Sequence, residues 1–242
     1  MRRYAVVLGA SGGIGQAICR ELAKDGWSLY MHYNRHEQKI LQLQQELAQQ
    51  YEAGEFNIVH ADFSTGNAAD HVTANVGHVQ AVIVALGQSL YQLVSDTTAE
   101  QMDELWHVHV RNPAAFIRDI SPQLRSFPVS YVVFIGSIWG DTGAAGEVMY
   151  SAVKGAQHAF VKAYAKEAAY SGIRVNAIAP GWIDTEMTEQ LTVEDKQLVM
   201  EEIPLQSTGN PSQVGALTSF LVSGKADYMT GEVVKLNGGW YI

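Results

Sequence analysis

The sequence predicts a single-domain, doubly wound α/β fold, with one parallel sheet of about seven strands and helices on both faces. Three observations carry that expectation. Short β-branched apolar runs alternate with longer helical patterns along the whole chain, the pattern of strand–helix–strand units closing a parallel sheet. No Pro-, Gly- or Ser-rich linker and no internal repeat divides the 242 residues, so one unit spans 1–242, a length that α/β architectures reach. Hydrophobic residues make up 47% of the chain and charged residues 17%, which supplies one large core and excludes a disordered chain.

The first strand is expected at Tyr4–Leu8. The preceding Met1-Arg2-Arg3 is not read as a twin-arginine leader, because the apolar run behind it lasts only about five residues before Gly9. A glycine-rich turn follows and opens a helix. The second strand is Ser28–His32, and the helix after it repeats apolar residues at Ile40, Leu43, Leu47 and Tyr51, so the Gln-rich stretch Gln42 to Gln50 reads as its solvated face. Asn57–His60 and Ala81–Ala85 are the third and fourth strands. Thr97-x-x-Glu100 has the form of a capping box for a long helix through Met102, Leu105, Trp106 and Val110. Ser130–Ile135, Val175–Ala179 and Val233–Leu236 complete the sheet.

Composition excludes several classes of function. With 16 Lys+Arg against 25 Asp+Glu the formal charge is −9, which argues against binding to a phosphate backbone and for a soluble protein. Cys19 is the one cysteine, so no internal disulfide or cysteine metal site can form, and a reducing, cytoplasmic setting is expected. The longest apolar run, Val79 to Leu86, is half of a membrane span. His32 with His36, and His107 with His109, lack nearby carboxylates in a ligand pattern, and no metal is expected.

Two motifs carry chemistry. In Gly9-Ala10-Ser11-Gly12-Gly13-Ile14-Gly15, glycines at 9, 13 and 15 permit a tight turn, close approach of a pyrophosphate to the backbone, and close packing of helix on strand. The helix N-terminus that follows offers N–H groups to an anion. Further on, Tyr150-Ser151-Ala152-Val153-Lys154 places a phenol and an ammonium one helical turn apart. A neighbouring cation favours phenolate and is expected to lower a pKa that is about 10 in a model peptide, making Tyr150 a proton donor or acceptor near neutral pH.

The glycine loop, Ser137 thirteen residues before Tyr150, the Tyr-x-x-x-Lys itself and Val175-Asn176-Ala177-Ile178-Ala179-Pro180-Gly181 with Thr185 resemble the short-chain dehydrogenase/reductase family in order and spacing. The match runs through Thr230-Gly231 and Asn237-Gly238-Gly239, and it implies a Rossmann-type dinucleotide fold. By that resemblance Ser137 hydrogen-bonds the substrate carbonyl, Tyr150 transfers the proton, and Lys154 holds the nicotinamide ribose and tunes Tyr150. Ser11 and Ile14 fall in the cofactor loop, Asp62 matches the adenine contact, Gly87 follows the fourth strand, and Pro180, Gly181, Ile183 and Thr185 sit at the nicotinamide end. The family's Asn-Asn-Ala-Gly is here Val84-Ala85-Leu86-Gly87, and its relay asparagine aligns with His109, which is expected to take over that place. These two departures motivate a competing reading, a catalytically weak NADP-binding regulatory protein.

At the end of the second strand an NAD site would place an acid on the ribose 2′-OH. This chain has Asn34-Arg35 there, so NADPH is the expected cofactor and Arg35 the phosphate contact, although Gly12 stands where such enzymes often carry a basic residue. A closer resemblance, in Ser137 to Ala144 and Lys154 to Lys162 with Glu147 and His109, is to the branch of 3-oxoacyl-acyl-carrier-protein reductases and elongation factor P 5-aminopentanone reductases. The substrate is then a small-molecule, carrier-bound or elongation-factor-bound ketone. Trp139, Asp141, Glu147 and Trp182 are its expected contacts, the carboxylates and indoles suiting a primary ammonium. The resemblance also implies a homotetramer or dimer.

Overall fold

In the computed structural model, which describes residues 2–185 and 193–242, every expected strand forms at or within two residues of its expected ends. They are β1 (Arg3–Leu8), β2 (Trp27–Tyr33), β3 (Phe56–His60), β4 (Ala81–Val84), β5 (Ser130–Ile135), β6 (Ile173–Pro180) and β7 (Val233–Leu236). All neighbours pair in parallel in the order β3-β2-β1-β4-β5-β6-β7. Strands of such a sheet are covered on both faces and so read as continuous apolar runs. β4 and β5 are buried at every residue, and successive residues of β1 serve opposite cores: Ala5 and Val7 one face, Val6 and Leu8 the other.

The connections are helical. α1 (Gly13–Lys24) and α2 (Glu37–Gln50) follow β1 and β2; α3 (Ala68–Asn75), α4 (Ala99–Trp106) and α5 (Asn112–Leu124) come before β5. After β5 come the short α6 (Trp139–Thr142) and the long α7 (Val148–Ala168), then α8 (Val193–Glu202) and α9 (Pro211–Leu221). Ile18, Leu22, Leu43, Leu47 and Val214 bury α1, α2 and α9 on one side, and Phe116, Ile120 and Val161 bury α5 and α7 on the other. Strand order reverses between β1 and β4, and the crevice outside their C-terminal ends is where such sheets hold ligands. No helix among the described residues is long and apolar enough to cross a membrane.

Two details depart from expectation. The capping box lies one residue later: the Thr98 side chain accepts from the Gln101 N–H at 3.3 Å, and the Gln101 side chain accepts from the Thr98 N–H at 3.0 Å. Thr97 is unavailable because its hydroxyl donates back to the Leu93 carbonyl, closing a short 3₁₀ turn. The expected long helix is also interrupted by a π turn over His107–Arg111, in which the Asn112 N–H reaches the His107 carbonyl five residues back. Pro113 has no N–H to return to the His109 carbonyl, and that carbonyl accepts from Gln157 Nε2 of α7 at 2.8 Å. The Asn112 amide donates to the Phe63 and Thr65 carbonyls, both at 2.7 Å, tying the turn to the chain beyond β3.

Candidate active site

The glycine loop owes its shape to contacts that leave no room for side chains. Gly9 has φ +85°, and a Cβ there would lie 2.5 Å from the Ala85 carbonyl oxygen. A Cβ on Gly15 would collide with the Gly9 carbonyl oxygen, and one on Gly13 would stand 3.1 Å from Thr185 Cγ2. The first turn of α1 has neither a side-chain cap nor an acidic residue, so its N–H groups suit an anion. Gly9, Ser11, Gly13, Ile14 and Gly15 line one cleft of about 540 Å³. Asn34, Arg35, Asp62, Gly87 and Thr185 line the same cleft, so these expected contacts are brought together. Pro180, Gly181 and Ile183 are held by backbone bonds at and after the end of β6. The Pro180 carbonyl accepts from the Ile138 N–H at 3.1 Å, the Gly181 N–H donates to the Leu236 carbonyl at 3.0 Å, and the buried Ile183 bridges to Gly209.

His32 escaped the sequence reading as a loop-positioning group. Its Nδ1 accepts from the Gly9 N–H at 3.1 Å and its Nε2 bonds the Ala61 carbonyl at 3.0 Å, which makes it a neutral imidazole protonated on Nε2. Burial pushes its pKa down to about 4, and burial with the nearby Lys154 pushes His109 down to about 3. Both rings thus stay neutral in the fold at pH values where the unfolded chain, titrating near 6.5, takes up protons. Stability is accordingly full above about pH 6.5 and falls as pH drops below it, by on the order of 3 kcal/mol for His32 by pH 4. Urea midpoints measured between pH 7.5 and 4.5 check this: His109→Asn should flatten the decline, and an unchanged slope would count against it.

Just beyond β3, Asp62 Oδ1 accepts from the Ser64 N–H at 2.9 Å, the Ser64 hydroxyl at 2.8 Å and the Asn34 amide at 3.2 Å. Burial raises its pKa, but these Ser64 bonds, with the Arg35 charge, hold the carboxyl below its ordinary value. The end of β2 presents Asn34 and the exposed Arg35 to the cleft, with no acid in the place of a ribose 2′-OH acceptor.

The hydroxyls of Ser137 and Tyr150 meet where β5 runs into α6. The Ser137 side chain hydrogen-bonds the Tyr150 hydroxyl, and Lys154 Nζ donates to the Ile135 carbonyl at 2.9 Å while lying 5.5 Å from the Tyr150 ring centroid. The pKa of Tyr150 is raised, contrary to the expected lowering. Burial dominates, the Glu147 charge adds to it, and the Ser137 bond offsets only part. Burial also draws Lys154 down to about 7, which weakens the cation that was to favour phenolate. His109 meets the Tyr150 ring edge-on, centroids 5.8 Å apart. Its Nε2 bonds the Gln88 carbonyl at 2.9 Å, while Nδ1 is buried without a partner. Gln88 in turn donates to Glu104 at 2.9 Å. Neither residue was legible beforehand, because both act through tertiary contacts.

Of the four expected substrate contacts, Trp139 and Glu147 lie together near Tyr150. The Trp139 indole donates to the Glu147 carboxylate, which burial raises in pKa and whose charge reaches Tyr150. Trp139 is flanked by Trp240 at 5.1 Å and Tyr241 at 5.5 Å, two C-terminal aromatics that the sequence reading missed. Asp141 bonds His158, and Trp182 is 8% exposed, its carbonyl accepting from the Gly209 N–H at 2.8 Å. Among the described residues no cluster of three or more His, Cys, Asp or Glu could hold a metal ion.

A family model described as enoyl-(acyl carrier protein) reductase matches residues 9–241. Across the full length of both proteins the chain is 39% identical to the uncharacterized oxidoreductase YmfI of Bacillus subtilis strain 168. It is 28% identical, again over all of both chains, to the 3-oxoacyl-[acyl-carrier-protein] reductase FabG of Staphylococcus epidermidis. The crystal structure of L-sorbose reductase from Gluconobacter frateurii, complexed with NADPH and L-sorbose, has the same fold, with a TM-score of 0.91 over 99% of this chain and 96% of that one at 24% identity. The relationship extends from the glycine loop to the last turn of the chain, which belongs to the short-chain dehydrogenase/reductase family of oxidoreductases.

Proposed function

We propose that the protein is an NADPH-dependent carbonyl reductase whose ketone carries a primary amine, the 5-aminopentanone group on modified elongation factor P being its target. The observation that carries the substrate reading is Glu147: a half-buried carboxylate, held by the Trp139 indole, whose charge bears on the catalytic hydroxyl. A fatty acyl chain has no use for that charge, whereas a terminal ammonium pairs with it and gains an aromatic face from Trp139. The cleft fits the cofactor, with a glycine loop that admits no side chain on its inner wall and Arg35 where a 2′-phosphate would lie. The cofactor, when bound, supplies the hydride. Ser137 holds the carbonyl oxygen, Tyr150 delivers a proton to that oxygen as the carbon is reduced, and Lys154 orients the ribose. A cytoplasmic homotetramer or dimer belongs to the same reading.

The deciding experiment compares kcat/KM for an amino-ketone and an uncharged ketone of equal length. Glu147→Gln should lower the preference for the amino-ketone by about tenfold, the scale of one charge-assisted contact. An unchanged ratio would reject the amine and leave the second reading, 3-oxoacyl-thioester reduction, which full-length similarity to FabG favours. The cofactor assignment has its own check. Arg35→Ala should cut the NADPH/NADH preference by about tenfold or more with turnover on NADH retained, and steady-state kinetics with both cofactors measure it. An unaltered preference would remove Arg35 from the phosphate.

A further inference from the structure

A buried histidine, paired with a partly exposed aspartate, joins the two segments that carry the catalytic hydroxyls. His158 lies on α7 one turn beyond Lys154 and two beyond Tyr150, is 2% exposed, and holds its Nδ1 3.0 Å from Asp141 Oδ1 of α6. Its ring occupies hollows on both sides of Ser137. A Cβ on Gly136 would collide with Nε2, and one on Gly140 would come 2.7 Å from Cε1. From the sheet side the same loop is held by the Gly136 N–H on the Ile178 carbonyl at 2.7 Å and the Ile138 N–H on the Pro180 carbonyl at 3.1 Å. From the helix side Asp141 is tied to His158, in addition to the contacts of Ser137 with Tyr150 and of Trp139 with Glu147.

An aliphatic side chain would fill this space without desolvating an imidazole whose Nε2 finds no partner. The polar pair therefore costs stability relative to plain packing, and what it adds is direction: a hydrogen bond at the far end of loop 136–142 that helps fix the loop's height on α7. We propose that Asp141 and His158 are positioning residues, which hold the Ser137 hydroxyl against the Tyr150 hydroxyl without touching substrate. The inference rests on the reading that Ser137 and Tyr150 carry the reaction. The charges near the ring are Asp141 from α6 and Lys154 and Lys162 from its own helix; Gly136 at the end of β5 is uncharged. Burial and the two lysines keep the imidazole below its usual pKa against the pull of Asp141, so the neutral Nδ1–H donates and the bond does not need the carboxylate's charge. Asn at 141 preserves that acceptor; Ala does not.

The test uses the full chain, NADPH and an activated β-keto ester as probe, with thermal unfolding recorded for each variant. Asp141→Ala and His158→Leu should lower kcat by about tenfold, as a misplacement well under 1 Å would, and leave KM for NADPH within about twofold. Asp141→Asn should recover most of the loss. In a Ser137→Ala background Asp141→Ala should cost nothing further, because the pair acts through a hydroxyl already removed. Additive losses in the double variant, no recovery with Asn, or a lowered melting temperature with wild-type kcat would each overturn the proposal. Wild-type turnover by Ser137→Ala alone would instead overturn the reading beneath it.

Discussion

Tyr150→Phe should turn over at least about 10²-fold more slowly than the wild type while still binding NADPH, the loss expected when a positioned general acid is removed. The substitution is clean because the ring's neighbours do not depend on the hydroxyl. His109 packs on it edge-on and Lys154 lies 5.5 Å from its centroid, both preserved by Phe. The bond lost is the one to Ser137, which is also the contact that opposes the raised pKa of Tyr150. Because burial and Glu147 hold that pKa up, the hydroxyl keeps its proton through neutral pH and stands ready as the donor in a reduction. Single-turnover rates at saturating ketone, with a fluorescence titration of NADPH, separate chemistry from binding. Near-normal turnover by Tyr150→Phe would remove it from the mechanism.

Gly15→Ala should do comparable damage by another route. Its methyl group would run into the Gly9 carbonyl oxygen and lie 2.9 Å from Ala10 Cα, both backbone, so no side-chain rotation relieves the clash. The loop has to open, and Gly9 cannot follow, since it is already held at φ +85° against the Ala85 carbonyl. We expect a loss of about 2 kcal/mol or more, roughly 5 °C or more in Tm, with NADPH affinity falling at least about tenfold. Gly12→Ala is the control. Gly12 has φ −76°, and its nearest obstacle is the Gly9 carbonyl oxygen at 3.6 Å, so the variant should melt with the wild type. Calorimetry and cofactor titration of the two variants check the contrast, and equal melting of both would refute it.

What was legible in the sequence was whatever is decided by neighbours in the chain. The strands announced themselves because burial on both faces demands unbroken apolar runs such as Ala81–Val84, and the glycine loop because its three glycines fall within seven residues, even though the surfaces Gly9 and Gly13 clear, at Ala85 and Thr185, are distant in the chain. Tyr150 and Lys154 are one turn apart on one helix, so their proximity was readable, but the direction of the tyrosine's pKa was not. That depended on burial and on Glu147. The adjacent threonines before α4 both satisfy the capping pattern, and the choice between them rests on Leu93, to which Thr97 is already bonded. Pro113 offers no N–H to the His109 carbonyl, and the Gln157 that bonds it lies 48 residues away, beyond the reach of a sequence reading. Asp141 seemed free to meet substrate for the same reason: His158 is distant in sequence and adjacent only in space.

The strand order also constrains how the chain reaches this state. No neighbouring strands are joined by a hairpin, and central β1 pairs with β4 in the register Ala5 to Ala81, so its second edge stays open until more than seventy further residues have collapsed into place. Loop closure of that length is an entropic toll charged before any pairing repays it, which makes folding slow and the waiting edges adhesive. Until β7, four residues carrying Lys235, has paired, β6 presents an open edge. Refolding yield should therefore fall with protein concentration, through association at β6, rather than with any fragility of the finished sheet.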